Sequence, residues 1–251
     1  METTGGSISL VERKKYDVKT AHQVARGIWW VGYFDPDRQT SHNPFLIQDN
    51  DEAVLINPGS RAEKLYHTVS HKVNSIINTR LIQHIVLLHN DPDRCAALPL
   101  FEKAVHRDVR IYAPAKMAAS IKHYGCKHPI IGLDGGDSII LKSGRTLDYY
   151  IIEKLPSIGS GMLHDKQTNT VFCGNIFGHI NEDWNLFAPA GGWRQIDHDD
   201  PDVQCSKKAL MQALNKLEKL SPERICMHHG PIIEEDIEGY ISATREIDNT
   251  K

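Results

Sequence analysis

The order of segments in this chain of 251 residues predicts a four-layer αββα sandwich of the α/β class, two sheets packed face to face with helices outside. Three observations carry that expectation. Each half of the chain opens with short strand-like segments and continues into helical spacing. The run at 85–88, Ile-Val-Leu-Leu, is apolar at every position, as a strand buried on both faces would be. Each half also ends a strand in a histidine-bearing turn, His89 in the first and His228-His229 in the second.

Taken in order, residues 1–8 are polar and read as a disordered tail. Residues 9–251 read as a single domain, because no Gly-Ser linker or charge run divides them. Strands are expected at 27–34, 44–48 and 53–56, separated by Asp, Asn and Pro turns as in an antiparallel meander. After Asn57-Pro58-Gly59-Ser60, apolar residues at Leu65, Val69, Val73 and Ile76 give helical spacing over 62–77. The strand at 85–88 follows, then the polar turn His89-Asn90-Asp91-Pro92-Asp93-Arg94, then a helical stretch from Cys95. A strand at 109–112 and a helix at 114–124, with its proline tolerated in the first turn, continue the alternation. Past Gly125 a second meander is expected at 138–141, 147–152, 161–164 and 170–173. An irregular stretch at 177–201 precedes a helix at 204–220, with Leu210, Leu214 and Leu217 on one face. A last strand at 224–227 ends in His228-His229-Gly230-Pro231, and a polar helix closes the chain.

Composition narrows the function. A net charge of -3 gives no electrostatic case for nucleic acid or an anionic membrane. No apolar run approaches the roughly 20 residues that span a bilayer, and the start has no apolar stretch of a signal peptide. The five cysteines, Cys95, Cys126, Cys173, Cys205 and Cys226, form no CxxC pair; they read as reduced thiols in a cytoplasmic protein. Of the fourteen histidines, those at 67, 71, 106 and 123 read as solvated positions on surface helices.

The turn after the strand at 85–88 is the sharpest chemical signal. His89, Asp91 and Asp93 stand at alternate positions, and a turn can curl such side chains onto one point, which suits zinc or a harder cation. The competing reading makes the aspartates caps of the following helix and His89 a polar strand end. The acidic run at 197–202 around His198 reads as a solvated loop, and His164, among apolar neighbours and Gly, as structural.

Five segments in order resemble the metallo-β-lactamase fold, and within it the β-lactamase-like domain of flavodiiron proteins and the related oxygen-binding diiron proteins. They are the LINPGS turn at 55–60, the HNDPD loop at 89–93, FCGNIFG at 172–178, DWNLF at 183–187 and HGP at 229–231. The resemblance runs from about Trp29 to Ile233. It implies two metals held by a His-x-Asp/Glu-x-Asp-His loop, a later His, a bridging Asp and a C-terminal His. His89, Asp91, Asp93 and His229 match that pattern. Arg94 stands in place of the second loop His, Pro156 in place of the later His with Ser157 as the nearby alternative, and Asn175 in place of the bridging Asp. Asn57 occupies a position where a supporting Asp is usual.

These departures weigh against two metals. Cations a few ångströms apart repel strongly at low dielectric, and a bridging carboxylate lets both stay; an Asn amide has no charge to give. Arg94 keeps its proton and would bring a fixed positive charge to the place of a cation, so an Arg94 ion pair with Asp91 or Asp93 could replace metal. His179 and His228 are the available substitute ligands, although a strand-end residue beside a ligand usually faces away. No Gly-rich loop for flavin mononucleotide is found. The resemblance thus implies a sensory or interaction domain with its metal site partly or wholly lost, acting through a protein partner. The alternatives are a binder or reductase of O2 or NO, with one or two irons and an external electron donor, and a metal-dependent hydrolase. A homodimer is compatible with all of them.

Overall fold

A strand that is apolar at consecutive positions must be covered from both sides, and the computed structural model shows what covers each one. It describes residues 16–37, 39–152, 161–174, 176–177, 185–195 and 207–247. In chain order the elements are β1 (His22–Ala25), β2 (Ile28–Trp30), β3 (Tyr33–Asp35), β4 (Thr40–His42), β5 (Phe45–Asp49), β6 (Glu52–Ile56), α1 (Glu63–Ile76) and β7 (Ile82–Val86). Then come α2 (Pro92–Cys95), α3 (Leu98–Ala104), β8 (Arg110–Pro114), α4 (Ala118–Ile121), β9 (Ile130–Leu133), β10 (Ser138–Ile140), β11 (Thr146–Ile151), β12 (Gly161–Asp165) and β13 (Thr170–Cys173). The last are α5 (Lys207–Leu220), β14 (Arg224–Met227) and α6 (Ile237–Ile247).

The first sheet runs β1-β2-β5-β6-β7-β8-β9 and the second β10-β11-β12-β13-β14. Parallel pairing is confined to β6 through β9 in the first sheet and to β13 with β14 in the second. Alternation along the strands assigns side chains to layers. On β6, Ala53 and Leu55 pack with Val69, Val73 and Phe101 beneath the helices, while Val54 and Ile56 pack between the sheets with Leu163 and Phe172. On β13, Phe172 faces the first sheet, whereas Val171 and Cys173 pack on Ala213, Leu214 and Leu217 of α5. Two sheets separating three apolar clusters make the αββα sandwich.

Several elements differ from their expected form. The strand expected at 27–34 is broken at Val31 and Gly32 into β2 and β3, and β3 turns away to pair with β4. A Cβ at Gly32 would lie 2.0 Å from the His42 carbonyl oxygen, so this crossing requires glycine. The helix expected at 114–124 is a series of 3-10 and α turns. The closing helix is amphipathic, with Tyr240, Ile241 and Thr244 buried. Strands β1, β4 and β9 are too short or too polar for a period-2 pattern. Residues 1–8 and 197–202 lie outside the described residues. Cys95, Cys126, Cys173 and Cys226 are free thiols, and Cys205 is outside the described residues.

Parallel strands set their following turns at one edge, where open α/β sheets place ligands. Here the turns after β6, β7 and β14 meet the end of β4 at that edge.

Candidate metal centre

The edge is built from the backbone outward. Asn57 sits in the left-handed region at φ 48°, which Asn tolerates better than most residues. Its amide N–H donates to the Val86 carbonyl at 2.9 Å, and its Oδ1 accepts from the Leu88 N–H at 2.9 Å. The ends of β6 and β7 are thereby fixed before His89 is reached. Asp91 precedes α2 without a side-chain cap, and its carbonyl instead accepts from the N–H groups of Arg94 and Cys95. The capping role considered for Asp91 is therefore not made. Its carboxylate turns to His89 Nδ1 at 2.8 Å and Arg94 Nη1 at 3.3 Å.

Asp93 faces the other way. Its Oδ2 lies 3.2 Å from His229 Nε2, 3.5 Å from His42 Nδ1 and 3.8 Å from Arg94 Nε. His42 is stacked on Tyr33 with ring centroids 4.7 Å apart, and meets His229 edge to face at 4.6 Å. His229 is oriented by its far nitrogen, which lies 2.9 Å from the Ser41 carbonyl oxygen; a carbonyl only accepts, so Nδ1 carries the proton. Asn43 ties these turns together. It accepts from Trp30 Nε1 at 2.8 Å and donates to the carbonyls of Met227 at 2.9 Å and Gly230 at 2.8 Å.

Of the adjacent histidines, His228 does not point away from the site as its strand-end position suggested. It is buried, meets the His89 ring edge to face at 5.4 Å, and neither ring nitrogen has a hydrogen-bond partner among the described residues. With His42, Asn57, Asp93 and Arg94 it lines one small pocket. His164, in contrast, bonds Asn169 at 2.9 Å, in keeping with a structural role.

The electrostatics follow from burial and the Arg94 guanidinium. Burial holds His42, His89 and His228 below the usual imidazole range, His228 furthest. For Asp93 burial works upward, but the contacts with His229 and His42 and the charge of Arg94 outweigh it and hold the carboxyl well below the usual range. The hydrogen bond with His89 does the same for Asp91. At neutral pH both carboxylates are ionised, which is the state that binds a cation.

The turn after β7 and the histidine after β14 both fall within the segment that matches a known family. Residues 40–230 match the sequence model described as the ODP family beta lactamase. The chain belongs to this ODP family. Among curated relatives, the type A flavoprotein FprA of Rhodobacter capsulatus is 23% identical over 241 residues, covering 89% of this chain and 55% of that protein. The chain thus spans about half the length of that relative. Among solved structures, the rubredoxin oxygen:oxidoreductase of Desulfovibrio gigas superposes with a TM-score of 0.80 at 19% identity, over 92% of this chain and 62% of that one. The apo chemotaxis sensor ODP from T. denticola superposes with a TM-score of 0.74 at 20% identity, over 90% of this chain and 93% of that one. At these identities the superpositions establish the metallo-β-lactamase fold of flavodiiron cores.

Within this ODP-family domain the structure brings His89, Asp91, Asp93, Arg94, His228 and His229 to one edge. Ser157, Asn175 and His179 lie outside the described residues. His42 is the residue that sequence reasoning missed. It belongs to Ser41-His42-Asn43-Pro44, which reads as a turn between strands and carries no periodicity or spacing signal.

Proposed function

We propose that this ODP-family chain is a cytoplasmic sensory or interaction domain that lacks the dinuclear iron centre of its diiron relatives and signals through a protein partner. One observation carries the reading: Arg94, with 9% of its side chain exposed, lies 3.3 Å from Asp91 and 3.8 Å from Asp93. A buried guanidinium between both carboxylates supplies the positive charge that a metal would otherwise bring. The pair His89 and Asp91 is closed by a 2.8 Å hydrogen bond, and these residues do not fit a second cation beside Arg94. Asn175 in place of a bridging carboxylate points the same way.

Metal analysis of protein from iron-supplemented cultures tests this. Fewer than two irons per chain are expected, with no oxygen-sensitive near-ultraviolet band. Two irons per chain would overturn it.

A second reading is favoured by one structural neighbour, described as a peroxy diiron species of chemotaxis sensor ODP, with a TM-score of 0.72. On that reading this chain also binds O2 or NO at iron, with any electrons coming from another protein. The same iron analysis separates the two.

A further inference from the structure

The two halves of the cluster are spaced for different purposes. A hydrogen bond to a charged group closes to about 2.7–2.9 Å, which is what His89 and Asp91 do at 2.8 Å. Asp93 stands farther from both its histidines, at 3.2 Å from His229 Nε2 and 3.5 Å from His42 Nδ1. A tetrahedral ion with metal–ligand bonds of about 2.0–2.1 Å sets its ligand atoms about 3.3 Å apart. Ligand atoms of His42, Asp93 and His229 all lie within 4.8 Å of one another.

We propose that His42, Asp93 and His229 form a site for a single divalent cation of the zinc or ferrous class. His42 stands outside the ligand set that the family resemblance implies. It takes up the place that Arg94 leaves vacant in the ligand set, reaching Asp93 from β4 instead of from the turn after β7. The proposal goes beyond the absence of a dinuclear centre and rests on that reading for the role of Arg94.

The surroundings are those of a ligand set. His229 donates Nδ1–H to the Ser41 carbonyl, the outer contact that fixes the tautomer of a ligating histidine and leaves Nε2 to bind. Two imidazoles and one carboxylate with open positions make a donor set that zinc and non-haem ferrous iron accept. Arg94 is shared between Asp91 at 3.3 Å and Asp93 at 3.8 Å, so Asp93 keeps only part of its charge for the ion, and Arg94 weakens the site without abolishing it. Independently, His228 is only 4% exposed, both its ring nitrogens lack partners among the described residues, and it lines the same pocket as His42 and Asp93. A buried polar group of that kind calls for a polar occupant of the pocket.

The test uses the full chain, stripped with chelator and titrated with Zn2+ and with Co2+ by calorimetry. One ion per chain is expected, with the visible absorption of four- or five-coordinate cobalt. Imidazole 15N spectra of the unaltered protein should show Zn2+ shifting His42 Nδ1 and His229 Nε2 and leaving His89 Nδ1 in its hydrogen bond, a readout that needs no variant. His42→Ala should weaken binding at least tenfold, with His42→Gln as the second variant should the first fail to fold. Absence of binding to the unaltered chain, or equal binding by both His42 variants, overturns the proposal and leaves the Arg94 reading standing. So does a loss in His89→Ala as large as in His42→Ala. Two ions per chain overturn both.

Discussion

Arg145 and Asp165 meet fork to fork in the core, Nε to Oδ1 at 2.9 Å and Nη2 to Oδ2 at 2.7 Å, with side chains 1% and 0% exposed. The pair joins the residue before β11 to the end of β12. Breaking one side of such a pair strands a buried charge and costs about 3–5 kcal/mol. Arg145→Met is therefore expected to lower the Tm by about 10 °C, and Arg145→Met with Asp165→Leu to recover most of the loss. Burial raises the Asp165 carboxyl, but its bonds from Arg145 and Thr168 outweigh that and hold it below the usual range. Its stabilising contribution is present above the unfolded value of about 4 and is lost as pH falls through the lower folded value. Acid titration of the single and double variants by circular dichroism checks the sign.

Asn43 is the clamp of the candidate site, because its one amide joins Trp30 to the carbonyls of Met227 and Gly230. Asn43→Ala removes all three of these buried bonds, a cost of about 2–4 kcal/mol. Denaturant unfolding should show that loss. Metal titration should show weaker binding as well, since the turn carrying His229 is no longer held against His42.

Stability should fall between pH 7.5 and 5. Burial holds His42, His84, His89 and His228 below the usual value, so the unfolded chain takes up protons that the folded chain refuses. The slope is about 1.4 kcal/mol per pH unit for each such group in the range where only the unfolded form is protonated. His128 has the opposite sign, raised by its 2.7 Å contact with the buried Glu102 carboxylate, and offsets part of that slope. Urea midpoints across this range should rise with pH; a flat profile would contradict the burial of these rings.

Arg94 governs how many cations the edge accepts. Arg94→Gln should destabilise the metal-free protein by removing the charge between Asp91 and Asp93, and should tighten binding of Zn2+ by at least tenfold. Reaching two irons should take Arg94→His, Pro156→His and Asn175→Asp together. A bridging carboxylate helps only when both cations are present, and Asn175→Asp alone adds a like charge that raises its own pKa. Iron content of the single and triple variants decides.

The sequence by itself determined the layer order, because apolar spacing reports which faces of a local segment are buried. It also brought His89, Asp91 and Asp93 forward as candidates, since they stand in a turn directly after an apolar strand, and His229 through the resemblance carried by the HGP segment at 229–231. It misjudged His228, because the alternation rule ends where β14 ends and the chain turns at Gly230, with φ 79°. Only the tertiary structure decided that Arg94 is buried between two carboxylates and that His42 faces Asp93. His42 ends a strand of three residues, too short for any period to register. Its approach depends on the first sheet breaking at Gly32, on β3 and β4 folding over the edge, and on Asn43 tying that turn to the loop after β14. Those are contacts between segments far apart in the chain, and a local pattern of apolar and polar residues says nothing about which distant turn will cross it.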